Sequence, residues 1–413
     1  MTTAADHPDA PAVEPIDART KRNVGALFLA QAILSSQLLI MISFGPLAGA
    51  MLAANPAYAT LPITVMLTSS MISAAPCSLL TGRIGRRPGF LIGVLFGAMG
   101  GALAATAIVV NSFALLLFAA ALTGVYQATQ QLFRFAATDT GPEHFKPRAI
   151  AWVLAGGLAA AFLGPWVAST FRDALAPFAL AGAFAAVVGV NLVGALPLLF
   201  LDIPRPPRRS EREGESAPKG RPLREILTQP VTQVAILCGM VTYALMSLVM
   251  TSTSTAMVGC GLSVDDAGSV IGAHVFAMFA PSFFTGGLIN RFGHIRVIAV
   301  GLALMAGCGI VALGGLELER FYFALVLLGV GWNFGFIGAT SLLATSHAPE
   351  ERATIQGFND FCVFGLVAMA SAGSGALMHF VGWTSVNLAM LPLLAMAGGA
   401  LIWLTIYRRG LPA

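Results

Sequence analysis

Gly82-Arg83-Ile84-Gly85-Arg86-Arg87 and Asn290-Arg291-Phe292-Gly293-His294-Ile295-Arg296 are two short basic segments in a chain that is otherwise mostly hydrocarbon. Their glycines, Gly85 and Gly293, lie about half the 413-residue chain apart. Long apolar stretches flank each segment on both sides. The repeat therefore belongs to a membrane architecture, one of two halves that move against each other.

Composition excludes a water-soluble globule. With 57% hydrophobic and 10% charged residues and a mean hydropathy of +0.80, the chain has too few polar groups to cover a soluble surface of this size. The charges fall in short clusters that separate apolar stretches of roughly 20 residues, the length a helix needs to cross the bilayer. In order, these predict spans at 24–46, 58–80, 90–110, 113–136, 149–170, 177–201, 231–255, 267–289, 296–314, 321–344, 354–377 and 383–406. That is twelve spans, six in each half.

Lys and Arg placement sets the orientation. With the N-terminus cytoplasmic, every basic residue except Arg134, Arg172 and Arg320 falls on an inside segment, which places both termini in the cytoplasm. The net charge of +4 then reflects topology and gives no reason to expect nucleic acid. Residues 1–20 read as a disordered tail and not a signal peptide. The Pro-rich, mixed-charge stretch 202–230 reads as a solvated linker between bundles at 21–201 and 231–408.

Catalytic chemistry finds no residues to rest on. Cys77, Cys238, Cys260, Cys308 and Cys362 have neither paired spacing nor histidine neighbours, and there is no phosphate loop, nucleophile elbow or metal-ligand spacing. No metal or cofactor is expected.

Twelve spans in two halves, a long middle linker and a loop of the type G-x-x-x-[D]-R-x-G-R-R resemble the major facilitator superfamily over roughly residues 20–410. The second half repeats the loop at Gly286 to Gly293, and Pro142 to Ala149 resembles Pro349 to Ala353. The resemblance implies an all-α membrane protein, a transporter of two pseudo-symmetric six-helix bundles, and a monomer is the expected state. It also makes Arg83, Gly85, Arg86, Arg87, Arg291 and Gly293 a cytoplasmic loop motif. The acid that precedes the arginine in the family is Gly82 in one half and Asn290 in the other, and Ser78 replaces the first glycine. On this reading no carboxylate remains to partner the loop arginines, and close packing in the first half is in question.

An ionisable group at bilayer depth costs about 2.5–3.5 kcal/mol even on the lenient insertion scale, so it faces a cavity or a partner. Thr123, Gln127, Gln130, Gln131, Arg134 and Thr138 fall along one helical face of span four, and Gln356, Asn359 and Asp360 along one face of span eleven. Two arrangements are open. Arg134 and Asp360 pair across the halves as a gate or coupling site, or each is satisfied within its own half, Arg134 with Asp139.

Gln31, Tyr126, Gln127, Gln130, Tyr243, His274, Trp332, Asn333 and Asn359 are candidates to line the central cavity and bind substrate. Amides and rings without a midplane carboxylate suit a neutral planar solute better than a sugar phosphate or dicarboxylate. Gly164-Pro165 looks like a weakened motif of proton-coupled drug exporters. The segments Gly124 to Asp139, Gly331 to Phe334 and Asn359 to Phe361 are instead similar to bacterial facilitators of riboflavin-type uptake, and a flavin ring suits stacking aromatics and amides. The expectation is a bacterial inner-membrane alternating-access carrier for riboflavin or a similar metabolite, with protons as a possible coupling ion at Asp360. The alternatives are a proton-coupled exporter and a non-transporting receptor.

Overall fold

The computed structural model describes residues 15–55, 58–59, 61–204 and 220–409. Most of the expected tail and the middle of the linker lie outside the described residues. The first half contains α1 (Ala18–Leu52), α2 (Leu61–Ile84), α3 (Arg86–Val109), α4 (Phe113–Gln131) with a one-turn continuation α5 (Phe133–Ala136), α6 (Lys146–Phe171) and α7 (Ala181–Leu199). A short α8 (Leu223–Leu227) ends the linker. The second half contains α9 (Pro230–Gly259), α10 (Val264–Phe279), α11 (Ser282–Phe292), α12 (His294–Leu313), α13 (Leu318–Ala344), α14 (Arg352–Phe380), α15 (Trp383–Leu388) and α16 (Met390–Arg409). Eleven of the described helices are long and apolar enough to cross a membrane, or twelve when the bent pair α10 and α11 counts as one span.

Two expected boundaries change. The first helix begins at Ala18, within the stretch read as tail, because the Asp17 side chain caps it by accepting from Thr20 N at 2.8 Å. Arg19 and Arg22 then bridge to Asp202 at the end of α7.

The eighth span is not one continuous helix; it bends by 42° between α10 and α11. Pro281 has no N–H to continue the ladder, and its ring clashes with the preceding turn. Asn333 of α13 fills the break: its Nδ2 donates to Met278 O at 2.7 Å and to Ser282 Oγ at 2.6 Å, and its Oδ1 accepts from Thr285 Oγ1 at 2.6 Å.

The halves meet along two pseudo-equivalent seams, α2 on α14 and α6 on α11. Gly85 (φ 99°) and Gly293 (φ 84°) each turn the chain into the next helix through a conformation that L side chains avoid. The seams are closest at these loops. A Cβ on Gly82 would lie 2.7 Å from Ala353 Cβ, and one on Gly286 would lie 2.5 Å from Arg148 Cα. Ser78 Oγ donates to Ala353 O at 2.7 Å, and Asn290 Nδ2 to His144 O at 2.7 Å. Ser78 therefore does not prevent close packing. It is buried, and the space it needs is left by Gly357, whose Cβ would fall 3.0 Å from Ser78 Cβ.

Candidate functional site

Every polar side-chain contact between the halves among the described residues lies toward the side that carries the linker and both basic loops. They form two layers. In the outer layer Asp139, just past α5, accepts from Arg86 Nε at 2.9 Å and from Arg352 Nη1 of the opposite half at 2.7 Å. Arg86 also donates across the seam to Gln356 Oε1 at 2.9 Å. This corrects the reading that the loop arginines lack an acid: Asp139 supplies it from a different loop. Of the motif's arginines, Arg86 is buried, whereas Arg83, Arg87 and Arg291 are exposed.

The inner layer lies about two turns deeper in α14. Arg134 Nη2 donates to Asp360 Oδ1 at 2.5 Å, with both side chains at most 1% exposed. The pairing with Asp139 considered for Arg134 is not formed. Gln131 accepts a second Arg134 hydrogen bond, and Asn359 Nδ2 donates to Asp360 Oδ1 at 2.9 Å. The guanidinium sits over two rings, with its carbon 4.6 Å from the Phe135 centroid and 4.9 Å from that of Phe336.

Above this ion pair the second half presents an aromatic wall. Trp332 stacks on Phe336 at 5.1 Å, and Tyr243 packs edge-on against Trp332 at 5.6 Å and Phe336 at 5.1 Å, with Phe364 and Phe279 extending the cluster. The cluster reaches the first half, since the Phe279 ring fills the space left by Gly157 of α6. Tyr243 also lies beside Gln131 of α4. The facing wall is made of amides. Gln127 is 3% exposed and its Oε1 has no partner, while Gln130 Nε2 donates to Ser35 Oγ at 2.8 Å beside the half-exposed Gln31.

Three expected cavity residues are placed elsewhere. Tyr126 donates to Leu34 O at 2.6 Å and packs on Gly97 inside the first half. His274 is fully buried between α10 and α13, with Nδ1 against Leu325 O at 2.8 Å. Asn333 closes the helix break. Each of these polar side chains bonds to a neighbouring helix of its own half, the cheaper solution where no water is at hand, although His274 Nε2 has no partner.

Sequence reading missed Phe279 and Phe364, because an aromatic in an apolar span carries no sign of whether it packs or lines a cleft. It also missed the buried Gln37–Asn191 pair (2.7 Å), which ties α1 to α7.

At the outer layer, Glu351 precedes Arg352 at the start of α14 and holds the linker's end. It accepts from Arg221 N at 2.9 Å, Nε at 2.7 Å and Nη2 at 2.8 Å. The Arg221 hydrogen bond is the main reason its carboxyl falls to about 2. Nearby His347 is pushed down to about 4 by burial.

Two bundles of membrane-length helices that meet across a seam, joined by ion pairs on the side of the basic loops, are the architecture of a membrane carrier. The comparisons place it in a family. The chain belongs to the major facilitator superfamily, whose model matches residues 26–372 and 235–412. It is 42% identical over 376 residues to the riboflavin transporter RfnT of Brucella anthropi, covering 91% of this chain and 94% of that one. It is 28% identical over 397 residues to YdeG of Bacillus subtilis, an uncharacterised transporter of the superfamily, covering 94% and 90%. Its fold is shared with FucP in the outward conformation (TM-score 0.71, 15% identity, 93% of this chain and 98% of that one) and with the human organic anion transporter MFSD10 (0.71, 16%, 93% and 100%).

Proposed function

We propose that this transporter takes up riboflavin, or a neutral planar metabolite like it, across the bacterial inner membrane by alternating access. The observation that carries the reading is the half-buried Tyr243, backed by the buried Trp332 and Phe336 and meeting Gln131 of the other half, beside charges that are paired. The relation to RfnT supports it. A tricyclic ring gains most from such a surface through stacking and burial, and the amides offer hydrogen bonds to its polar edge.

In this arrangement the linker and both termini are cytoplasmic, as the positive-inside bias requires, and the structure is the state closed to the cytoplasm. Gln31, Gln127, Gln130, Tyr243, Trp332 and Asn359 surround the substrate. Arg134 and Asp360 form the inner gate, and Arg86, Asp139 and Arg352 the outer one. The protein works as a monomer, since one chain supplies both walls.

Saturable uptake of labelled riboflavin by proteoliposomes of the purified protein tests the reading, with Trp332→Ala expected to raise KM by at least tenfold. Binding without flux would indicate a receptor, and efflux of a lipophilic dye without riboflavin uptake an exporter. Stimulation by an inward proton gradient, lost in Asp360→Asn, assigns proton symport; insensitivity to the gradient assigns facilitated uptake.

A further inference from the structure

The aromatic wall does not stand alone on α9. Tyr243, Ser247, Thr251 and Ser254 are spaced by four, four and three, so they share one face of the helix. Tyr243, Ser247 and Ser254 are half-buried and Thr251 is exposed, whereas the helix's other faces are buried against its own bundle. Since Tyr243 lies beside Gln131 of the opposite half, the stripe continues the cleft-facing surface away from the ion pair. Thr251 stands about 12 Å outward of Tyr243 at 1.5 Å per residue. Its Oγ1 lies 3.4 Å from Ser371 Oγ of α14, which adds a hydroxyl from the adjoining helix. At the inner end, the Gln127 Oε1 is an acceptor without a donor on a side chain that is 97% buried. Gln127 lies one turn outward of Gln131, on the face of α4 that meets the second half. The cleft is thus graded: an unmet acceptor and rings deep inside, hydroxyls toward the mouth.

The geometry points to an oriented site for an amphipathic flavin. The ring system lies inward against Tyr243, which Trp332 and Phe336 back, with its ring N–H donating to Gln127 Oε1, and the polyhydroxyl chain extends outward along Ser247, Thr251 and Ser254. This rests on the riboflavin reading above and adds to it the direction of entry and the residues that select for the chain. Hydroxyls suit the chain because each donates and accepts, as its own hydroxyls do. The buried amide suits the N–H because leaving that acceptor unmet is costly, so an analogue without the proton is rejected.

Competition against labelled riboflavin uptake in proteoliposomes separates the two ends of the site. Lumiflavin keeps the ring and lacks the chain, and 3-methylriboflavin keeps the chain and lacks the N–H. The double variant Thr251→Val, Ser254→Ala is expected to raise the riboflavin KM about tenfold while lumiflavin inhibition changes less than twofold. Thr251→Ser, which keeps the hydroxyl, is expected to retain the wild-type KM. Gln127→Leu is expected to abolish the preference for riboflavin over 3-methylriboflavin. An unchanged riboflavin KM in the double variant, or an equal loss of riboflavin and lumiflavin, overturns the orientation. Absence of riboflavin uptake by the wild-type protein overturns the substrate reading instead, a result distinct from either.

Discussion

At the scale of single residues, the Arg134–Asp360 pair is the most deeply buried ionic link between the halves. Each charge is buried at membrane depth and is tolerable only because the other is there, so removing one leaves an uncompensated charge worth about 3–5 kcal/mol. Asp360→Ala is therefore expected to disfavour the state closed on the linker side on the order of a hundredfold or more. Alkylation of a cysteine at buried position 78 should speed up accordingly. The swap Arg134→Asp with Asp360→Arg is expected to restore part of the wild-type protection, and a swap no better than the single variant would count against a gate. Both residues were legible in the sequence, since ionisable groups in apolar spans demand a partner. Which partner was not legible, because Asp139 is near Arg134 in sequence, Asp360 lies at a similar depth, and only the tertiary packing that brings α5 beside α14 distinguishes them.

Secondary-structure elements carry a different set of constraints. The break between α10 and α11 follows from Pro281, yet the proline alone says nothing about how the freed groups are satisfied. Asn333 does that from a neighbouring helix. Asn333→Ala removes the donor to Met278 O and Ser282 Oγ, while Thr285 keeps its bond to Pro281 O, at about 1–3 kcal/mol for each buried group left unpaired. It is expected to lower the melting temperature in detergent, and an unchanged melting temperature would show that Asn333 does not hold the break. At the seams, Gly82→Leu would drive a side chain into Ala353 and is expected to open the linker side, again read by labelling at position 78. An unaffected labelling rate would show that the seam takes up the added side chain without opening. The spans were read well from hydropathy because the bilayer fixes their length, whereas the break and the seams depend on contacts between segments far apart in sequence.

For the molecule as a whole, the two charge layers and the docked linker act on the same helix, α14. Glu351 holds Arg221 just before that helix begins, so the linker's end moves with it. The Glu351 carboxyl is held at about 2, below its ordinary 4.5, by Arg221. Its contribution is therefore complete above about pH 4.5 and is lost as the pH falls toward 2. A spin label at Arg224→Cys is expected to keep constant mobility from pH 8 to 5 and to loosen only below about pH 4. Adding Glu351→Gln should make it mobile at neutral pH. Loosening between pH 7 and 6 would assign the docking to some other group.

The sequence by itself determined that the chain spans a membrane in two repeated halves, which side is basic, and that the fourth and eleventh spans carry charges needing partners. Those properties follow from local composition, helical periodicity and the cost of polar groups in hydrocarbon. Only the tertiary structure decided that Asp139 serves the loop arginine, that Asn333, His274 and Tyr126 hold helices together, and that Phe279 and Phe364 join the aromatic wall. A hydrogen bond or ring contact between distant helices is fixed by how those helices pack, and the residue types alone are compatible with either role.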